Sequence, residues 1–151
     1  MRFERVSVEK LTAVIIGITV LVIAAGGVIR IYDAGESCPD WPTCFGTWGF
    51  DISEEEQKEW FDENPSEIDS RGSSHTYTSF QIFTEWIHRL LAGALLGPLV
   101  ILNWWIIRKD QELTNEVKLA SLISVLLIGW QGFLGYVTVR LDNLHWSVAL
   151  H

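Results

Sequence analysis

Three ionisable side chains stand close together in the sequence EWIHR, namely Glu85, His88 and Arg89. On a helix, Glu85 and His88 share a face at a spacing of three, and Glu85 and Arg89 can pair at a spacing of four. The residues that follow are apolar, and charges in an apolar membrane helix are costly enough to indicate function. The pattern alone leaves an alternative open, an interfacial ion pair with a histidine that reaches toward lipid headgroups.

A second histidine, His151, is predicted at a similar depth. If Asp142 caps a fourth helix, His151 lies nine residues past that cap, and His88 lies ten residues past Thr78. A rise of about 1.5 Å per residue then puts both imidazoles about 10 Å below one membrane surface. Two histidines at one level suit the axial positions of one haem iron, whereas zinc would need further ligands. Small residues that could make room for the ring are Ala92, Gly93, Gly129, Gly132 and Gly135.

Membrane helices are the elements predicted to position these residues. Three uncharged runs reach roughly the 17–25 apolar residues that a bilayer crossing needs. We therefore predict one all-α membrane domain over 1–151, a bundle with spans at about 11–30, 80–107 and 117–139 and a truncated fourth from about 143. A soluble helical core and, for the first run, a cleaved signal peptide are the alternatives. The unfinished fourth span indicates a fragment or part of a longer protein.

Basic residues predict the orientation. Those before the first span and between the second and third are Arg2, Arg5, Lys10, Arg108, Lys109 and Lys118. The positive-inside rule then predicts a multi-pass protein of the cytoplasmic membrane with a cytoplasmic N-terminus and an outer loop over 31–79. The net charge is −8, and most of the negative charge lies in this loop, which argues against nucleic-acid partners.

Local patterns predict structure inside the loop. Capping-box sequences predict a short helix at about 54–62 after Ser53, and the start of the second span near Ser79 after Thr78. Asn64 and Pro65 should end the short helix, and 69–74 should be loose.

Both cysteines lie in SCPDWPTC, residues 37–44. An outer location is oxidising, which favours a Cys38–Cys44 disulfide over half of a metal site. The spacing is not C-x-x-C, so the motif of thioredoxin-type chemistry is absent. The disulfide could be a plain structural link, a redox device, or part of a lid over a haem edge.

Three segments, in this order, resemble the haem A synthase family: GGVIRIYDAGESCPDWPTCFG, EWIHR and QGFLGYVTVRLDNLHWSVALH. With the apolar runs between them they cover nearly the whole chain. The resemblance implies an oxidoreductase that converts the C8 methyl of haem O to a formyl group for terminal oxidases. Many members have eight helices in two similar halves, and this chain resembles the first half or a short member.

The resemblance also implies roles for residues. The family's histidine pair corresponds to His88 and His151, its essential glutamate to Glu85, and its loop cysteines to Cys38 and Cys44. It implies haem O as substrate, haem b as cofactor and a lipid bilayer as surroundings. Expected partners are a second copy or a missing carboxy-terminal half, haem O synthase and oxidase assembly factors. The acidic stretch at 51–74 departs from the family pattern.

A mechanism follows from two axial histidines, which leave no open iron position for O2. We expect the ring methyl to lose electrons and a proton, with water as the oxygen source. Glu85 would accept the proton or stabilise a cationic carbon, and Arg89 would orient Glu85 or contact a propionate. The alternatives are a b-type membrane cytochrome that carries electrons, a quinone-linked thiol oxidoreductase, and a structural oxidase subunit without haem.

Overall fold

The computed structural model describes the backbone from Arg2 to His151 and the side chains from Val8 onward. Its helices are α1 (Arg2–Ile31), α2 (Glu54–Glu63), α3 (Ser79–Arg89), α4 (Gly97–Lys109), α5 (Asn115–Arg140) and α6 (His145–Leu150). A 3-10 turn at Pro65–Glu67 follows α2, and a π-helical segment at Leu90–Leu96 joins α3 to α4. The described part of the chain contains no strand.

Three helical stretches are long and apolar enough to cross a membrane: Val8–Ile31, Ser79–Lys109 and Asn115–Arg140. Each reaches the length that a bilayer crossing requires. The predicted all-α integral membrane class is therefore confirmed. The predicted spans 11–30, 80–107 and 117–139 lie inside these stretches.

The chain divides into two compact units. One consists of the residues up to Ile23 together with Leu90–Phe133, and the other of Ala24–Arg89 together with Leu134–His151. The first unit is apolar and helical, and many of its large side chains face outward. The second unit contains the predicted catalytic, ligand and disulfide residues, namely Cys38, Cys44, Glu85, His88, Arg89 and His151.

The second long stretch is not α-helical throughout. Its π-helical segment, Leu90–Leu96, comes directly before Gly97 and Pro98. Proline has no backbone N–H, and its ring collides with the carbonyl four residues earlier, here that of Ala94, so regular α-helical bonding fails at this point. Wider winding removes the collision. The predicted span 80–107 included no such interruption, although Pro98 signals one.

The predicted helix starts are confirmed by their capping bonds. At α2, the Ser53 hydroxyl accepts from the Glu56 backbone N–H at 3.3 Å, and the Glu56 carboxylate accepts from the Ser53 N–H at 2.7 Å. At α3, the Thr78 hydroxyl accepts from the Gln81 backbone N–H at 3.3 Å, and the Gln81 side-chain oxygen accepts from the Thr78 N–H at 3.0 Å. Each pair satisfies two N–H groups that a helix start otherwise leaves unpaired.

The start of the fourth helix differs from the prediction. α6 begins at His145, with Leu144 at its N-cap and no capping side chain among the described residues. Asp142, the predicted cap, instead closes α5: its φ of 52° is left-handed, and the N–H groups of Asp142 and Asn143 donate to the carbonyls of Val139 and Thr138. This is the Schellman arrangement of a helix C-terminus. The prediction that Asp142 caps the fourth helix is therefore wrong.

The loop between α1 and α3 has a core of its own. Its buried residues are Cys38, Cys44, Phe45, Ile52, Phe61, Tyr77 and Ile82. At its centre, the buried Gln57 side chain bonds the backbone of Tyr77 twice, donating to its carbonyl at 2.9 Å and accepting from its N–H at 2.8 Å. These bonds tie α2 to the residues before α3, and Phe61 of α2 packs edge-on against Phe45, next to Cys44.

Candidate functional site

The rings of the two predicted ligand histidines lie next to each other. The ring centroids of His88, in the last turn of α3, and His151, directly after α6, are 6.1 Å apart, and the ring planes are at 84°. The backbone N–H of His151 donates to the Ser147 carbonyl at 3.0 Å, which continues the winding of α6 through this residue. Residues 63 positions apart in the chain thus meet.

The distance between the ring centroids is compatible with two histidine ligands on one metal. A histidine nitrogen coordinates a first-row transition metal at about 2 Å, so two such bonds in line, plus the radius of each ring, put the centroids about 6 Å apart. The observed 6.1 Å matches this requirement. Two histidines are also the donor set that a six-coordinate haem iron takes from a protein.

Each imidazole lies against the backbone of a neighbouring helix at a glycine. A Cβ at Gly26 of α1 would lie 3.4 Å from Cε1 of His88, and a Cβ at Gly135 of α5 would lie 2.9 Å from Cε1 of His151. Gly135 is one of the small residues predicted to make room for the ring, whereas Gly26 was not predicted. Around Gly93 and Gly132, a Cβ would meet nothing within 4 Å among the described residues.

Glu85 lies three residues before His88 and is 4% exposed. Its Oε1 accepts from the guanidinium of Arg89, four residues later. Its Oε2 accepts from the backbone N–H of Cys38 at 2.9 Å and lies 3.1 Å from the hydroxyl of Ser37. Burying a carboxylate costs free energy unless it is paired and hydrogen-bonded, and here it is both.

Arg89 binds the disulfide segment. Its guanidinium donates to the carbonyls of Cys38 at 2.6 Å and Thr43 at 2.8 Å, and also to that of Asp40. These carbonyls come from both ends and the middle of the cysteine ring. The segment 37–44 is therefore wrapped around one charged group of α3, and Arg89 holds Glu85 and the segment together.

The two cysteines form a disulfide with an S–S distance of 2.00 Å. Both residues are buried, Cys38 at 0% and Cys44 at 1% exposure. Thiol–disulfide exchange requires a thiolate to reach a sulfur directly. The buried sulfurs therefore favour a structural role over a redox one in this conformation.

A second charged cluster surrounds Arg71, in the segment that was expected to be loose. Its guanidinium contacts the carboxylates of Asp33, Glu36 and Asp69 and the Tyr77 hydroxyl, the last at 2.7 Å. The segment 69–74 contains no helix or strand, as expected, but Arg71 ties it to Asp33 and Glu36, just after α1.

Glu36 is the titratable member of that cluster. Partial burial, followed by a hydrogen bond with Asp142, raises the pKa of Glu36 to about 7, although Arg71 opposes the rise. Carboxylate oxygens of Glu36, Asp69 and Asp142 lie within 4.8 Å of one another. Like charges at this distance favour a shared proton.

Comparisons with known proteins agree with the resemblance in the sequence. A family model described as COX15-CtaA, cytochrome oxidase assembly protein, matches residues 9–151. A protein named heme A synthase from Shewanella oneidensis is 35% identical over 133 residues, which are 88% of this chain and 37% of that protein. Another of that name, from Halalkalibacterium halodurans, is 29% identical over 133 residues, 87% of this chain and 36% of that protein.

A heme A synthase from Alkalihalophilus pseudofirmus is 27% identical over 144 residues, 94% of this chain and 40% of that protein. The chain thus spans well under half the length of the curated relatives that it matches. No solved structure matches it.

Proposed function

Since the chain belongs to the COX15-CtaA family of cytochrome oxidase assembly proteins, we propose that it acts in haem A synthesis. The proposed reaction oxidises the C8 methyl group of haem O to a formyl group, as an oxidoreductase. The observation that carries the proposal is the close pair of imidazoles, His88 and His151, with 6.1 Å between their centroids. His88 shares α3 with the buried carboxylate of Glu85. Relatives named heme A synthase support it.

His88 and His151 are the proposed axial ligands of the substrate haem. When bound, the haem supplies the methyl group that is oxidised. With both axial positions taken by imidazoles, O2 has no site on that iron, so water is the proposed source of the formyl oxygen. The electrons must leave to an acceptor outside the described residues. A resident haem b remains a prediction.

Glu85 is the proposed proton acceptor. It is three residues from His88 on α3, so the carboxylate and the imidazole project from neighbouring positions of one helix face. The Arg89 guanidinium binds one oxygen of Glu85, and the Cys38 N–H binds the other. These contacts shield the carboxylate from bulk water. The disulfide segment 37–44, packed on the same helix, is the proposed lid over the haem edge.

The proposed location is the cytoplasmic membrane, with the N-terminus in the cytoplasm and the disulfide segment outside. One end of the second span supports this orientation. Lys109 lies 3.7 Å from the centroid of the Trp105 ring, and Arg108 lies 5.5 Å from that of Trp104. Tryptophan and basic side chains together are typical of a cytoplasmic interface. A second copy or carboxy-terminal half, haem O synthase and oxidase assembly factors remain predicted partners.

The test uses the full-length protein, supplied with haem O, with haem A measured by chromatography. We expect conversion in the wild type and its loss in H88A, H151A and E85A. H145A is a matched control because His145 is an exposed histidine of α6 at the opposite end from His151. Conversion that survives in H88A and H151A would refute the proposal.

Each of the other predicted functions requires a different set of groups at this site. A b-type membrane cytochrome needs the two imidazoles but not Glu85, so haem b as the sole extracted pigment would support it. A quinone-linked thiol oxidoreductase needs accessible sulfurs, and those of Cys38 and Cys44 are buried. A structural role without haem would give no reason for the close approach of the His88 and His151 rings.

A further inference from the structure

Ser37 has more hydrogen-bond acceptors than it can serve. Its side chain is 0% exposed, and its Oγ lies 2.8 Å from the carbonyl of Ala34, 2.9 Å from that of Gln81 and 3.1 Å from Oε2 of Glu85. A hydroxyl carries one proton and can donate it to one of these at a time. With Glu85 ionised, the charged oxygen is the strongest acceptor and takes that proton.

The two oxygens of Glu85 differ in their surroundings. Oε1 faces the guanidinium of Arg89, which cannot accept a proton and repels an added one. Oε2 faces the Ser37 hydroxyl and the Cys38 N–H. A proton that reaches Glu85 therefore resides on Oε2, and the Ser37 oxygen is the acceptor within reach of it.

Protonation then requires only a rotation of the serine hydroxyl. Oε2–H donates to the Ser37 oxygen, and the Ser37 proton turns to the carbonyl of Ala34 or Gln81, both already at bonding distance. The Cys38 N–H stays on Oε2 in both states. No buried polar group is left without a partner, which would otherwise cost about 1–3 kcal/mol.

We propose that Ser37 is a positioning residue for Glu85, and that its hydroxyl rotates between donating to the carboxylate and accepting from the carboxylic acid. Glu85 thereby takes up one proton and returns it without disturbing its other bonds. The inference rests on the proposed role of Glu85 as proton acceptor. No covalent bond of Ser37 forms or breaks, and the proton received from the substrate methyl leaves Glu85 to water.

The test is infrared difference spectroscopy of the full-length protein across a pH titration, with E85Q used to assign the carboxylic acid band of Glu85. In S37A the acid loses its acceptor, so we expect its C=O band at a higher wavenumber than in the wild type. S37T keeps a hydroxyl and should restore the band. S147A is the matched control: Ser147 is equally buried, but its hydroxyl donates only to the Leu144 carbonyl, at 2.8 Å.

Turnover of haem O gives a second readout. In a haem O titration we expect S37A to lower kcat by about tenfold with KM unchanged, since one net hydrogen bond to Glu85 is lost and Ser37 is not a proposed haem contact. Intact disulfide mass and an unchanged haem spectrum would exclude misfolding of S37A.

The inference fails if the S37A band coincides with that of the wild type, or if E85Q removes no band at any pH. Failure of the proposed function looks different. There, the wild type would produce no haem A, while the band and its shift in S37A would still be observed.

Discussion

One methyl group added at Gly135 should weaken haem binding by moving His151. The added Cβ would lie 2.9 Å from Cε1, 3.4 Å from Nε2 and 3.5 Å from Nδ1 of that imidazole. Carbon atoms attract best at about 3.5–4.0 Å, so the ring must retreat by roughly 0.6 Å or more. All three of the nearest atoms belong to the ring, so the whole imidazole has to move.

The haem-free and the haem-bound protein should tolerate this displacement of the His151 ring differently. Without haem, the ring is the end of a side chain and can rotate away, and alanine favours the helix over glycine by about 1 kcal/mol. G135A should therefore fold at least as well as the wild type. With haem, a metal–ligand distance varies by only about 0.2 Å. We expect a loss of about 10–100-fold in haem affinity, the range for disturbed support of a metal ligand.

The assay is a spectrophotometric haem titration, with the low-spin spectrum of two histidine ligands as the readout. G132A is the control, because it makes the same change one turn earlier on α5, where a Cβ meets no described atom within 4 Å. Equal haem affinity and equal low-spin content in G135A and G132A would refute the reasoning.

Three further changes test other contacts. G26A, whose Cβ would lie 3.4 Å from Cε1 of His88, should reduce haem affinity only a few-fold in the same titration. Glu36 has a folded pKa of about 7 against an ordinary 4.5, so the folded protein holds an extra proton between these values and stability should fall as pH rises through this window. E36Q should flatten that dependence in denaturant melts at pH 5 and pH 8. R89K cannot serve three carbonyls in a planar fork, so the disulfide should become reducible faster, as measured by alkylation.

Each of these has its own control. Gly27 neighbours Gly26 on α1 but meets nothing within 4 Å in the described chain, so G27A should leave haem affinity unchanged. Arg140 is exposed and pairs with Glu67 at 2.9 Å, so R140K should not alter reduction of the disulfide. A pH dependence that persists undiminished in E36Q would remove Glu36 as its cause.

Local features of the fold were predictable because their causes are local. Ser53 and Thr78 each cap a helix with a partner three residues away, and such bonds can be inferred from a four-residue pattern. The π-helical segment is local too, since Pro98 causes it, but a hydropathy profile does not register a missing N–H. The spans themselves follow from the lengths of uncharged runs.

Contacts between distant residues were not predictable in this way. Asp142 is of a residue type that is common at helix N-caps, yet it closes the preceding helix. Whether such a residue starts or ends a helix depends on its backbone angles and not on residue type alone. Arg71 stands in a polar stretch typical of a loose loop, and only folding brings Asp33 and Glu36 to it. Ser37 stands in the motif SCPDWPTC without a predicted role, because its contact with Glu85 joins residues 48 positions apart.

The contacts of Glu85 also join the two roles proposed for it, proton acceptor and anchor of the disulfide segment. Its carboxylate anchors the disulfide segment through the Cys38 N–H and, with Arg89, through three carbonyls. If proton uptake broke these bonds, the segment would loosen at each turnover. In the proposed arrangement the Ser37 hydroxyl removes that conflict, because it accepts a hydrogen bond from protonated Glu85 while Arg89 and the Cys38 N–H stay in place. The disulfide then serves to hold carbonyls around Arg89, so reducing it should disturb Glu85 before it disturbs the histidines.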